Sequence, residues 1–159
     1  MTAATIHIDH LSIHLQTPSA DARQRAPLTS PPPPASEGTV YDASTCLMWS
    51  KSTNAEGKTW AQAKEAAAAV RLGGFTDWRL PTRAELLTLV DDTRSNPAID
   101  TDRFDCAASW YWSATPLASS PSVYAWLVNF YNGYAFYYHQ GNDGRVRAVR
   151  SVSPSASGQ

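Results

Sequence analysis

The most constraining feature of this sequence is a long stretch near the C-terminus without a charged side chain. Residues 107–142 contain no Asp, Glu, Lys or Arg, and eleven of the seventeen aromatic residues lie within positions 110–138. An uncharged run of this length is typical of a membrane segment or a protein core, but its frequent Ser, Asn, Gly and Pro exclude a membrane span. The stretch must therefore fold as protein and find a place for many rings.

Part of this aromatic set is expected to form a core. The residues that alternate with smaller or polar neighbours, and so fit the buried face of a sheet, are Trp110, Trp112, Trp126, Val128 and Phe130. The later rings lie too close together around Gly133 and Gly141 for all of them to point inward. Tyr, Asn, Ser and Gly together are typical of antibody-like binding loops. The alternative is that these tyrosines only hold a sheet together.

We therefore predict a ligand-contacting surface whose partner is a protein or a glycan on a target surface. Its predicted contact residues are Tyr111, Trp126, Tyr131, Asn132, Tyr134, Phe136, Tyr137, Tyr138, His139, Asn142 and Asp143. The rival hypothesis is a structural decoration of a phage tail or similar particle that has no external ligand.

Two helices are predicted ahead of this stretch. Thr59 with Gln62, and Thr82 with Glu85, have the spacing of capping boxes. The apolar faces that follow are Trp60, Ala63, Ala67 and Val70 in the first helix, and Leu86, Leu87, Leu89 and Val90 in the second, which should end around residues 91–93. The alanines of the first helix should let it pack closely on a sheet.

Short strands are predicted at residues 40–42, 47–49, 110–113, 124–130, 134–138 and 145–150. Early helices with later strands predict an α+β domain. Residues 5–16 alternate like one bent strand, and residues 31–34 are prolines. We therefore predict an N-terminal docking strand and Pro-rich linker (1–37), a ligand-binding domain (38–152) and a flexible tail (153–159). Alternatively, residues 5–16 add an edge strand to the domain.

The overall charge and the N-terminus narrow the cellular setting. A net charge of -1 and a pI near 6.4 give no electrostatic reason to expect nucleic acid or an anionic membrane as a partner. Membrane insertion is not expected either, because no stretch approaches the roughly 18 to 20 apolar residues that a span needs. Residues 1–16 lack the basic and apolar regions of a signal peptide. We expect a virion, a tail-like particle or another assembly built in the cytoplasm, joined through residues 5–16 or by self-association; the cell surface is the alternative.

Several chemical features are weaker. Cys46 and Cys106 form either one disulfide that closes a long loop or two buried thiols. No nucleophile with an adjacent base is suggested, so neither an enzyme nor a cofactor is predicted. Calcium at the aspartates within residues 91–105, or a metal at the histidines within residues 7–14, is a lesser alternative to solvated side chains. The residues predicted to form a structural ion-pair and capping network are Asp77, Arg79, Arg83 and Glu85.

Short motifs in a fixed order carry a resemblance. They are Leu47-Met48-Trp49, Thr59-Trp60 to Ala63, the Gly-Gly-Phe-Thr-Asp-Trp-Arg-Leu-Pro-Thr-Arg run at 73–83 with Glu85-Leu86, Tyr111-Trp112-Ser113, Ala125-Trp126, Asn129-Phe130, Gly133, and Val-Arg-Ala-Val-Arg at 146–150. Together they resemble the Lcl C-terminal domain family over residues 39–151. The Asp-Trp-Arg-Leu-Pro-Thr segment is the most specific of them.

The resemblance implies a C-type-lectin-like fold and, in the bacterial collagen-like adhesin that gives the family its name, a carbohydrate-binding and oligomeric role. Similar domains also occur as the variable proteins of diversity-generating retroelements. In that setting the diversified positions would be Tyr131, Asn132, Tyr134, Phe136, Tyr137, Tyr138, His139, Asn142 and Asp143. Two family features are missing here. Alanines (Ala67 and Ala148) replace a cysteine pair, and the calcium–sugar motifs of animal lectins are absent, so calcium-dependent sugar binding through them is not expected.

Overall fold

The structure, a computed structural model, describes residues 36–153, which lie in one unit spanning Pro31–Gln159. In chain order the elements are β1 (Thr39–Asp42), β2 (Leu47–Ser50), β3 (Ala55–Lys58), α1 (Trp60–Ala68), α2 (Arg83–Leu87), β4 (Trp110–Pro116), β5 (Tyr124–Asn129), β6 (Ala135–His139), β7 (Gly144–Val146) and β8 (Val149–Ser151). This α+β architecture with two helices confirms the predicted fold class. The docking strand, the N-terminal histidines, most of the linker and most of the tail lie outside the described residues.

Two sheets form the scaffold. A small sheet has the order β1-β2-β8, and a larger one has the order β3-β7-β4-β5-β6. All pairings are antiparallel except the short parallel contact between β4 and β7. In this arrangement β4 lies in the middle of the larger sheet and β6 lies at its edge, which decides how much of each strand is exposed.

Both helices begin where the capping boxes predict. Thr59 and Thr82 are the N-cap residues, and Gln62 and Glu85 complete the two boxes. α2 ends at Leu87, before the predicted boundary, and the chain beyond it pairs Val90 with Ile99 in an isolated antiparallel bridge. None of the helices described has the length and apolarity that crossing a bilayer requires.

The core lies on both faces of the larger sheet. On one face α1 packs on β3, β7 and β4 through its fully buried alanines, Ala63 and Ala67, as predicted. On the opposite face α2 packs on β4 and β5 and buries Leu86 beside Val128. The helix packing centres on the middle of the sheet, and β6 has its neighbours mainly in β5.

The predicted single strand at residues 145–150 is divided between the two sheets. β7 joins the larger sheet and β8 joins the smaller one, with Arg147 and Ala148 between them. The Arg147 side chain is fully buried, and its guanidinium donates to the carbonyl oxygens of Ser50 at 2.6 Å, Lys51 at 2.7 Å and Asp105 at 2.8 Å. These charge-assisted bonds compensate burial of the cation and hold the two sheets together at this point.

Candidate ligand-binding surface

The β5–β6 hairpin forms the exposed edge of the larger sheet. Its register pairs Tyr124 with His139, Trp126 with Tyr137 and Leu127 with Phe136. Successive side chains of a strand point to opposite faces, so β6 divides its residues between the two sides of the sheet. Tyr137 and His139 lie on the α2 side, whereas Phe136 and Tyr138 lie on the α1 side.

The hairpin turn is built by short polar residues. Asn129 accepts a hydrogen bond from the Tyr131 N–H at 2.8 Å through its side chain and one from the Gly133 N–H at 2.7 Å through its carbonyl. Asn132 accepts one from the Tyr134 N–H at 3.3 Å. Gly133 has a positive φ of 81°, which only glycine adopts without strain. The turn therefore has a defined shape that points the rings of Tyr131 and Tyr134 into solvent.

The segment after α2 fixes this turn in place. The N–H groups of Asn96 and Ala98 donate to the carbonyls of Tyr131 at 2.9 Å and Phe130 at 2.6 Å. A Cβ on Gly133 would lie 2.7 Å from a methyl carbon of Val90, so the backbone approaches this segment closely. The exposed turn is thus attached to the core rather than carried on a free loop.

Aromatic rings cluster on the α2 side of the hairpin. Tyr137 packs edge-on against Trp126, with ring centroids 5.6 Å apart, and against Tyr124 at 5.8 Å. Tyr124 in turn contacts His139 at 5.9 Å. The guanidinium of Arg83, from the first turn of α2, lies 3.8 Å from the centre of the Trp126 ring.

A groove lies on the α1 side of the same strands. Its lining residues, which together we call the groove, are Trp110, Leu127, Phe136, Tyr138 and Asp143, and its volume is about 290 Å³. Leu127 forms the buried floor, and the rings of Trp110 and Phe136 lie 6.3 Å apart at 59°. Asp143 is the one carboxylate among these five residues.

The two sides are connected across the strand edge. Phe136 and Tyr137, neighbours in β6, stack with ring centroids 5.1 Å apart and an interplanar angle of 6°. A continuous chain of contacting rings results, which we call the aromatic band: Trp110, Phe136, Tyr137, Trp126, Tyr124 and His139. Beside it, Tyr138 is 51% exposed, Tyr131 53% and Tyr134 70%. Exposed rings in contact with one another make a surface of the kind that marks interaction sites.

The domain that carries this surface matches a known protein family. Residues 38–150 match the Lcl C-terminal domain, which is most of the chain. The chain belongs to the Lcl C-terminal domain family. A comparison with curated proteins finds no match. The two helices and mixed sheets are compatible with the C-type-lectin-like fold that the resemblance implies, and membership of the family indicates a ligand- or receptor-binding type of module.

In this Lcl C-terminal domain, most predicted contact residues do lie together at the hairpin. Those exposed are Tyr131, Asn132, Tyr134, Phe136, Tyr137, Tyr138, His139 and Asp143, while Trp126 and Asn142 are half-buried. The prediction was wrong for Tyr111. Its side chain is fully buried, its hydroxyl lies 2.7 Å from that of Thr53, and its ring packs edge-on against Phe130 at 5.3 Å.

Two tryptophans predicted to lie in the core of the Lcl C-terminal domain are instead at least partly exposed. Trp112, Val128 and Phe130 are fully buried as predicted, but Trp110 is 39% exposed and Trp126 is half-buried in the aromatic band. Sequence reasoning also missed Arg83 and Tyr124 as members of the surface. The two-residue spacing of Tyr124 and Trp126 was the signal that could have placed both rings on one face.

The charged residues of the family motif stabilise the fold. Arg79 holds the Glu85 carboxylate through two hydrogen bonds of 2.8 and 2.7 Å, and Glu85 also accepts the Thr82 N–H at 2.7 Å. The Arg79 guanidinium is the main reason that the pKa of Glu85 is lowered. Asp77 pairs with Arg150 instead. The predicted network is therefore present only in part: Arg79 and Glu85 form it with the Thr82 cap, whereas Asp77 pairs with Arg150 and Arg83 faces Trp126.

The loop aspartates lie in ion pairs with an arginine, and the two cysteines are not bonded to each other. Arg94 lies within 4 Å of Asp91, Asp100 and Asp102, so one cation holds these three loop carboxylates together. Within residues 36–153 no group of three or more His, Cys, Asp or Glu side chains is arranged to hold a metal ion. Both cysteines are free thiols, but neither is buried as the second alternative expected: Cys46 is exposed and Cys106 is half-buried.

Proposed function

We propose that this domain is a non-enzymatic binding module that contacts a protein or a glycan on a target surface through the aromatic band and the adjacent tyrosines. The observation that carries the proposal is the exposure of contacting rings along an edge hairpin whose turn is fixed to the core. Binding of this kind needs a large, shaped surface and no proton transfer, which fits ring faces, amides and hydroxyls.

The energetics support such a role. An exposed aromatic ring buries a large area on contact and loses little rotamer freedom, so a few such rings provide most of the affinity of an interface. Here the rings already support one another: Tyr137 is held between Phe136, Trp126 and Tyr124. A surface arranged before its partner arrives loses less entropy on binding.

The setting of the module belongs to the same proposal. A larger bacterial or phage assembly would carry the domain, joined through residues 5–16. If the protein is a diversified one, the positions that vary would be Tyr131, Asn132, Tyr134, Phe136, Tyr137, Tyr138, His139, Asn142 and Asp143. They lie in the hairpin turn, in β6 and just after it. Varying them would change the displayed rings while the two core clusters on either side of the central strands stay intact.

The double variant Tyr137→Ala/Tyr138→Ala tests the proposal. It removes one ring from each face of β6 and should weaken binding to a glycan-array or cell-surface target of the wild-type chain by more than about tenfold. Because Tyr138 is 51% exposed and Tyr137 40% exposed, the melting temperature should fall by about 5 °C, much less than loss of a core ring would cause.

Tyr41→Ala is the matched control, since Tyr41 is a half-buried ring on β1 in the other sheet, away from the hairpin. It should bind like the wild type. Undiminished binding by the double variant would contradict the proposal. A large loss of stability would instead support the alternative that the tyrosines mainly hold the sheet together.

A further inference from the structure

The groove has a chemical character that distinguishes it from the rest of the aromatic band. Three aromatic side chains, Trp110, Phe136 and Tyr138, surround the buried methyl groups of Leu127, and one carboxylate, Asp143, lies at the side. The face of an aromatic ring carries partial negative charge and attracts cations. The ring faces and the carboxylate of this lining therefore carry charge of the same sign.

The neighbouring recess adds to this charge balance. A second recess of about 230 Å³ shares Trp110 and Asp143 with the groove and is also lined by Glu56 and Arg145. Arg145 forms an ion pair with Glu56, so these two charges compensate one another. Among the side chains that line the two recesses, Asp143 is then the charged one without an oppositely charged partner. The local field thus favours a cation at the groove.

The groove lining contains few hydrogen-bonding groups, and this favours a cation that has no hydrogen-bond donors of its own. A primary ammonium group has three N–H donors to satisfy, and a sugar ring has several hydroxyls, whereas this lining offers mainly the Asp143 carboxylate and the Tyr138 hydroxyl as acceptors. A trimethylammonium group has no hydrogen-bond donor. It needs ring faces, apolar contact and a counter-charge, and these are what the five residues supply.

We propose that the groove binds a trimethylammonium group, with the rings of Trp110, Phe136 and Tyr138 around the methyl groups and the carboxylate of Asp143 as the counter-ion. The inference rests on the proposed function, because it names a ligand class for one part of the proposed contact surface. Choline-type head groups and trimethylated lysine side chains are the two sources of this chemistry.

Choline and its uncharged carbon isostere, neohexyl alcohol, provide the test on the full chain. The two molecules have nearly the same shape and differ in charge, so their affinities separate a cation site from a merely apolar one. Titration followed by the indole N–H signal of Trp110 in NMR spectra should show choline binding about tenfold more tightly, which corresponds to about 1.4 kcal/mol.

Two variants assign this preference to residues. Asp143→Asn keeps the shape and removes the charge, and should weaken choline about threefold to fivefold while leaving the isostere unchanged. Trp110→Leu keeps an apolar wall without a ring face, and should bring the choline affinity, followed by calorimetry, towards that of the isostere. Glu65→Gln, at an exposed carboxylate on α1, is the matched control and should change neither.

Equal affinities for choline and the isostere, or no saturable binding of choline, would overturn the inference. That outcome is distinct from failure of the proposed function. If Tyr137→Ala/Tyr138→Ala loses target binding but the wild type does not bind choline, the proposed binding module stands and only the cation site is rejected. If choline binds, comparison of phosphocholine with a trimethyl-lysine peptide identifies the source by the tighter ligand.

Discussion

Two aromatic triplets of similar composition have opposite fates in this domain. In β4 the sequence Trp110-Tyr111-Trp112 has its second and third side chains fully buried, whereas in β6 the sequence Phe136-Tyr137-Tyr138 is exposed at every position. β4 and β6 belong to the same sheet and are separated by a single strand, β5. The residues alone do not account for the difference.

Position in the sheet does account for it. β4 is flanked by β7 and β5 and is contacted by α1 on one face and α2 on the other, so Trp112 and Tyr111 are covered on opposite faces, while Trp110 at the start of the strand stays partly exposed. β6 is paired with β5 at the sheet edge, beyond the strands on which the helices mainly pack. An edge strand normally avoids exposed apolar side chains, so rings retained there indicate an interaction surface.

The largest expected effect contrasts two tryptophans of β4. Trp112 is fully buried against α1 and its Nε1 donates to the Lys58 carbonyl at 2.8 Å, so Trp112→Ala should lower the free energy of unfolding by about 3–5 kcal/mol. Trp110→Ala removes the same side chain two residues away on the same face, where it is partly exposed, and should cost about 1 kcal/mol. Urea unfolding measures both. Equal losses would contradict the distinction between a ring covered by α1 and a ring displayed at the start of the same strand.

Much of the scaffold followed from local signals in the sequence. The two capping boxes placed the helix starts at Thr59 and Thr82, because a side chain three residues ahead satisfies backbone donors that the helix leaves free. Apolar alternation found five of the eight strands within residues 36–153, with small errors at their ends. These features depend on residues that are close in sequence, so they can be predicted without knowledge of the tertiary structure.

What the sequence could not predict depends on contacts distant along the chain. β3 carries no alternation and exists because it pairs with β7, more than eighty residues later. The assignment of Tyr111 to the surface and of Trp110 to the core was inverted, since alternation shows which residues share a face but not which face is covered. Similarly, the split of residues 145–150 between two sheets required knowing where Arg147 is buried.

An acid titration should affect the scaffold through Glu85. Its pKa is lowered mainly by the Arg79 guanidinium, so its contribution to stability is complete above its ordinary value of 4.5 and is lost as the pH falls through the lowered value. Glu85→Gln should cost about 0.5–1 kcal/mol near neutral pH, and its difference from the wild type should disappear in acid. Chemical unfolding at several pH values checks this.

The same experiment sharpens the comparison between scaffold and hairpin. Residues 107–142 contain no carboxylate side chain, so the hairpin itself has no acid-sensitive ion pair. Arg79→Lys is a useful companion, because lysine keeps the charge but loses the two parallel hydrogen bonds to Glu85. A difference between Glu85→Gln and the wild type that persists unchanged in acid would contradict the assigned role of the Glu85 charge.

The smallest expected effect lies at the hairpin turn, where Tyr134→Ala should change the free energy of unfolding by less than about 0.5 kcal/mol. The Tyr134 ring is 70% exposed, and the hydrogen bonds at this residue come from its backbone: its N–H donates to Asn132 and its carbonyl accepts from Asn129. Alanine preserves both bonds and removes the ring alone. Gly133→Ala, one residue earlier, is the contrasting variant, since it imposes strain at a positive φ and a clash with Val90, and should cost about 1–3 kcal/mol. If urea unfolding found the two variants equally destabilised, the Tyr134 ring would have a packing role; the expected difference would show that the turn backbone belongs to the scaffold and the ring to the displayed surface.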